Sequence, residues 1–201
     1  MKDKEIEIQK VCGFYVNDWH FTTMILPYVR KEIEGNKKVI TFFQESMKAK
    51  VEEILSKMNL NKTFEKKILE INWKQIKQEE IEQTLKLEKE NMQMINIVEN
   101  EDSETGKENM NMTNRLKEEI KENRQMADIL VKGDNEFIET INEKIETAMK
   151  ELGERIQITI INFYDLSQNN EINQITKQHE YVMNTAGMQK IEKETKQKKE
   201  A

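Results

Sequence analysis

Short, β-branched apolar runs take turns with longer segments whose apolar residues recur at helical spacing. This alternation of two periods constrains the fold more than any other feature of the chain. A continuous apolar run suits a strand buried on both faces, and a 3.6-residue period suits a helix that covers such a strand. Val11 to Val16 (VCGFYV), Val39 to Phe43 (VITFF), Met126 to Val131 (MADILV) and Ile156 to Phe163 (IQITIINF) are of the first kind. Asp18 to Glu34 is of the second. Asp18 is placed to cap that helix, and Trp19, Phe21, Met24, Ile25, Tyr28 and Val29 are spaced for its buried face. Gly35-Asn36 stops it. Pro27 deletes one backbone bond inside it and predicts a kink or a restart.

The remaining segments follow the same logic. Met47, Val51, Ile54, Leu55 and Met58 predict a helix capped by Ser46 or Glu45 and ended near Asn59. Ile68 to Trp73 (ILEINW) alternates and predicts a third strand, and a helix is expected over Gln75 to Asn91. Met92 to Val98 (MQMINIV) reads as a further strand, Glu99 to Glu108 as an acidic loop, and Thr113 to Asn123 as a helix. The clearest helix runs from Asp134 to Leu152 and is stopped by Gly153. A last helix is expected over Glu171 to Met183. Strands separated by helices of this length imply an α/β fold: a mainly parallel central sheet flanked by helices. An all-helical bundle is the alternative, and the β-branched runs VITFF and ITIINF weigh against it. Residues 1–188 read as a single α/β domain and 189–201 as a charged tail expected to be disordered.

Charge narrows the partners. The chain has 32 basic and 38 acidic residues in 201, for a net charge of −6, so phosphate-backbone binding lacks its basic excess and no nucleic acid is expected. One cysteine, Cys12, excludes an intrachain disulfide framework. No apolar run is long enough to span a membrane and the N-terminus is charged, so no membrane association and a cytoplasmic location are expected.

The chemistry-bearing motifs are few. The six glycines are scattered, VNDWHFTT follows the first strand, and neither a phosphate loop nor GxGxxG is present. Two histidines and one cysteine without metal-ligand spacing lead us to expect no metal and no cofactor. Cys12 lies in an apolar strand, where a thiol is inert packing more often than a nucleophile, so no catalytic residue is named. In open parallel sheets, ligands bind outside the carboxyl ends of the strands. Those ends here carry Asn17-Asp18, Gln44-Glu45, Trp73 and Tyr164-Asp165. Together with Tyr15, His20 and His179, these are the candidate ligand-binding residues. Each also has a local job to which it is suited: Asp18 as a cap, Glu45 as first-turn charge, Trp73 as core, Tyr164 as packing, and the histidines as surface or capping groups.

The run CGFYVNDWHFTTMILPYVRKEIEGNKKVITFFQES resembles the opening of MEDS sensory domains. The likeness lies in the aromatic pair Phe14-Tyr15, the Pro27-Tyr28 dipeptide and Gly35 before the second strand. TIINFYDLSQ is similar to the family's late strand, closing at Tyr164-Asp165, and HEYVMNTAG to its His-containing segment with His179 and Gly187. The two ends, about half the chain, carry the likeness; the middle agrees only in element order. Two positions depart from the pattern: Gln9-Lys10 where the family usually has a His before the first strand, and Glu180 where Pro often follows the late His. The resemblance implies a RecA-like three-layer sandwich without nucleotide chemistry. It also implies a non-catalytic sensory role, with a small-molecule ligand, a protein signalling partner and a possible homodimer. A structural interaction module with no small-molecule ligand and a divergent enzyme are the alternatives.

Overall fold

The computed structural model describes residues 7–100, 125–150 and 157–193. Its strands are β1 (Glu7–Tyr15), β2 (Lys38–Phe43), β3 (Gln125–Lys132), β4 (Gln157–Asp165), β5 (Tyr181–Asn184) and β6 (Gly187–Lys190). Its helices are α1 (Asp18–Glu34), α2 (Lys48–Lys57), α3 (Lys62–Glu70), α4 (Gln78–Asn100), α5 (Asn135–Lys150) and α6 (Ile172–Lys177). The strands form one sheet in the order β2-β3-β4-β1-β5-β6, parallel except for the β5–β6 hairpin. The fold is the α/β three-layer sandwich that the two periods require.

Each face of the sheet has its own core. On one face, α1, α2 and α3 bury Phe21, Ile25, Val51 and Ile68 against Phe43, Leu130 and Phe163. On the other, α4, α5 and α6 bury Leu85, Ile141 and Ile175 against Ile129, Ile158 and Ile160. Burying each large apolar side chain contributes about 1.5–3 kcal/mol. Phe21 meets Phe163 edge-on, with ring centroids 4.9 Å apart. Gly13 makes that arrangement possible, because a Cβ there would lie 2.8 Å from the Phe163 ring on the paired strand.

Several expectations are corrected. Ile68 to Trp73 is not a strand: α3 runs to Glu70 and the chain then crosses the end of β2 as a loop. The alternation in ILEINW is also compatible with the helical pair Phe64 and Ile68, and Asn61 starts the helix by accepting a bond from the Thr63 N–H at 2.8 Å. Met92 to Val98 is not a strand either, because α4 continues through it to Asn100. The expected last helix stops at Lys177 and its remainder leads into β5, which β6 follows from Gly187 to Lys190. Trp19 is 46% exposed and does not join the buried face of α1. That helix is also unbroken at Pro27. Thr23, whose carbonyl loses its partner there, and Pro27 both face solvent, so the helix keeps its course without burying an unpaired carbonyl. The helix expected over Thr113 to Asn123, most of the acidic loop, and tail residues 194–201 lie outside the described residues.

Candidate functional site

Strand polarity brings the carboxyl ends of β1, β2, β3 and β4 to one edge. Tyr15 is buried there beside three carboxylates, and burial first, then Asp165, Asp18 and Glu45, hold its phenol well above its ordinary pKa. Asn17, not Asp18, is the N-cap of α1: its Oδ1 accepts from the His20 N–H at 2.8 Å. His20 in turn accepts from the Val16 N–H through Nδ1 at 3.2 Å, so it serves the same turn. Freed from capping, Asp18 pairs with the Lys132 ammonium at 3.2 Å. Sequence reasoning missed Lys132. It is 6% exposed and its ammonium lies 4.8 Å from the centre of the Tyr15 ring, in cation–π contact. A lysine ending an otherwise apolar strand was the available signal.

The other edge residues are tied into turns. Gln44 Nε2 donates to Asp134 Oδ2 at 2.9 Å and Gln44 Oε1 accepts from the Asp134 N–H at 2.7 Å, which locks the end of β2 to the start of α5. The bonds that Asp134 accepts from the Phe137 N–H and from Gln44 hold its carboxyl below the usual range. Asp165 Oδ1 accepts from the Ser167 N–H and hydroxyl, so its carboxylate closes a turn. Glu45 is exposed. Trp73 is 2% exposed, stacked on Phe43 with its indole N–H donating to the Ile68 carbonyl at 2.7 Å. It is core, and presents no rim to a ligand.

Tyr164 and His179 belong to the opposite face. There His179, with the Tyr164 ring edge-on to it, joins a buried polar network that the sequence did not announce, except as an asparagine inside the apolar run ITIINF. Asn142 Nδ2 donates to the Ile138 carbonyl and to Asn162 Oδ1, and Asn162 Nδ2 donates back to Asn142 Oδ1. Asn162 Nδ2 also lies 3.1 Å from His179 Nε2, while His179 Nδ1 lies 2.6 Å from the Ile175 carbonyl. A carbonyl can only accept, so the proton sits on Nδ1 and Nε2 accepts from Asn162. Burial accordingly lowers the His179 pKa and keeps the ring neutral. The network pins α5, β4 and the segment before β5 together, and with its amides and imidazole mutually satisfied it is a rigid floor.

Above that floor, between α5 and α6, lies a groove of about 390 Å³. Its walls carry Glu139, Glu143, Glu146 and Glu171 against one ammonium, Lys10, which pairs with Glu146. Asn135 Nδ2 donates to Asn169 Oδ1 at 2.6 Å and ties the start of α5 to the loop ahead of α6.

A second missed cluster lies beneath α1. Asp128 on β3 and Glu32 on α1 are 1% and 5% exposed and interact, with Tyr28 beside them. Glu32 Oε2 also lies 3.0 Å from the Lys37 ammonium. Burial, then the bond and charge of Glu32, push the Asp128 carboxyl up to about 8. With both groups ionised, Asp128 Oδ2 would be a buried acceptor without a donor among the described residues. Burial beside Glu32 therefore favours the protonated form of Asp128 at neutral pH.

Burial pushes the Cys12 thiol up to about 11, and Sγ faces the Tyr181 carbonyl at 3.7 Å. His20 is on the first turn of α1 while His179 is engaged through both nitrogens in the opposite core, so they form no pair. Among the described residues no three His, Cys, Asp or Glu side chains come together as metal ligands, and no helix is long and apolar enough to cross a membrane. No family model, curated protein or solved structure matches the chain.

Proposed function

We propose that this protein is a non-catalytic sensory or regulatory domain that binds a small molecule at the carboxyl edge of its sheet and relays the bound state by protein contact. One observation carries the reading. β1 and β4 are hydrogen-bonded neighbours, yet the chain leaves β1 for α1 on one face and β4 for α6 on the other. Open parallel sheets take their ligands at the strand ends where such exits diverge. Asn17, Asp18 and Asp165 stand at those ends, and Lys132 pairs with Asp18 and contacts the Tyr15 ring. The likeness of CGFYVNDWHFTT and TIINFYDLSQ to MEDS sensory domains supports the same reading, and the RecA-like part of that likeness accords with a parallel sheet flanked on both faces.

A thermal-shift screen of metabolites and nucleotides on the full chain tests it, followed by Asp18→Ala and Asp165→Ala. A ligand whose shift disappears in either variant, with circular dichroism unchanged, supports sensing. A screen without hits, or hits indifferent to both substitutions, overturns this seat. That result would favour an interaction module, a reading to which exposed Val16 and Trp19 beside the same edge also point.

A further inference from the structure

The polar network between α5 and β4 ends in a lightly held part of the fold. Of residues 171–190, only Ile175, His179 and Met183 are buried. β5 meets β1 over three residue pairs, from Val11 with Tyr181 to Gly13 with Met183, and β6 is paired with β5 alone among the described strands. A further backbone tie runs from the Glu180 N–H to the Lys10 carbonyl at 3.0 Å. An element with so few buried apolar contacts opens locally before the rest of the sheet does. His179 is the buried polar side chain that pins it to β4.

The hydrogen bonds that reach His179 have a fixed polarity. At one end the Ile138 carbonyl can only accept, which commits Asn142 Nδ2 as its donor. Asn142 and Asn162 then exchange bonds, and Asn162 Nδ2 is the atom that faces His179 Nε2. At the other end the Ile175 carbonyl commits Nδ1 as a donor. A second proton on the ring therefore falls on Nε2, where it meets an amide donor. Turning the Asn162 amide over only moves the conflict, because its nitrogen would then face Asn142 Nδ2, itself held by Ile138.

The surroundings of the ring act in the same direction inside the network and in the opposite one outside it. Burial lowers the His179 pKa, the Lys10 ammonium on β1 adds to that, and the Ile175 bond opposes it. Lys10 is paired with Glu146. Cys12 on β1 and Tyr164 on β4, whose ring stands edge-on to the imidazole, are both neutral near pH 7, because burial raises their pKa values. Glu139 and Glu143 on α5 and Glu171 ahead of α6 line the groove beside His179. An imidazolium thus has no place in the network but has carboxylates to turn toward in the groove.

We propose that His179 is a proton-operated latch: a second proton on its ring breaks the bond to Asn162 and frees α6 and the β5–β6 hairpin from a sheet that otherwise stays folded. The open form takes that proton at the ordinary histidine value of 6.5 and the closed form only below it, so acidification favours opening.

Hydrogen–deuterium exchange of the full chain, corrected for the pH dependence of intrinsic exchange, tests this. Opening of residues 172–190 should rise up to about tenfold between about pH 7.5 and about pH 5.5, while β3 and β4 stay protected. Acid favours the protonated form of Asp128 in the other core, so a general loosening is not the expected result. His179→Gln should abolish the pH dependence whatever it does to basal opening, because an amide oxygen can accept from Asn162 but takes no proton in this range. His20→Gln should keep it. NMR of the parent should show the His179 ring as the Nδ1–H tautomer, gaining its proton in step with the opening. Opening that is flat with pH, a His179→Gln variant that keeps the dependence, or β3 and β4 opening together with the hairpin overturns the inference. That outcome would leave the reading at Asp18 and Asp165 untouched.

Discussion

Replacing Asp128 with Asn should stabilise the protein, and by more as the pH rises. An acid whose folded pKa is raised from 3.8 to about 8 binds more protons in the native than in the unfolded state throughout that window. Stability then falls with increasing pH, by up to about 1.4 kcal/mol per unit. Relaxation and water penetration around a buried charge offset part of that penalty, so a working figure is about 2–4 kcal/mol lost by pH 8 relative to pH 4. Asparagine has the shape of the protonated carboxyl. Its N–H can donate toward Glu32, and it never adds a second buried negative charge. The variant should match the parent near pH 4 and exceed it by about 2–4 kcal/mol near pH 8, read as the midpoint shift in urea unfolding at constant m. Equal shifts at acid and alkaline pH, or a parent that gains stability relative to the variant as pH rises, would show that the folded state does not hold the Asp128 proton.

Two further outcomes are expected. Asn142→Ala and Asn162→Ala should each cost about 2–3 kcal/mol, because each strands the buried partners of the other, and the double variant should cost clearly less than the sum. Strict additivity in that cycle would mean that the two amides do not act as one unit. Gly13→Ala should lower stability by about 1–3 kcal/mol, since the new methyl meets the Phe163 ring wedged against Phe21. An unchanged midpoint for that variant in thermal unfolding would show that this contact relaxes freely.

The elements that were legible were those where one period dominated. VITFF and ITIINF are rich in β-branched and aromatic residues, and both are strands of the sheet. The helix from Asn135 repeats Ile138, Ile141, Ile145 and Met149 on one face, and all are buried. Short segments failed where two periods fit equally well. ILEINW alternates and also holds a helical repeat with Phe64, and MQMINIV reads as a strand only until the helix preceding it is allowed to continue. HEYVMNTAG was too short to declare a hairpin against a preceding helical turn.

By itself the sequence determined that apolar ribbons would lie side by side under amphipathic helices, because burial of these runs leaves no other economical arrangement. It also set the residue types available at the strand ends. Only the tertiary structure decided which residues meet. Strand order places β1 beside β4, so Tyr15 and Tyr164, at nearly equivalent positions, face opposite layers. It sends Asp18 to Lys132, Asp128 to Glu32, and His179 to an amide pair rather than to His20. The physical reason is that hydrophobic periodicity is local and non-directional, whereas ion pairs, shared protons and grooves depend on which strands become neighbours across long stretches of chain.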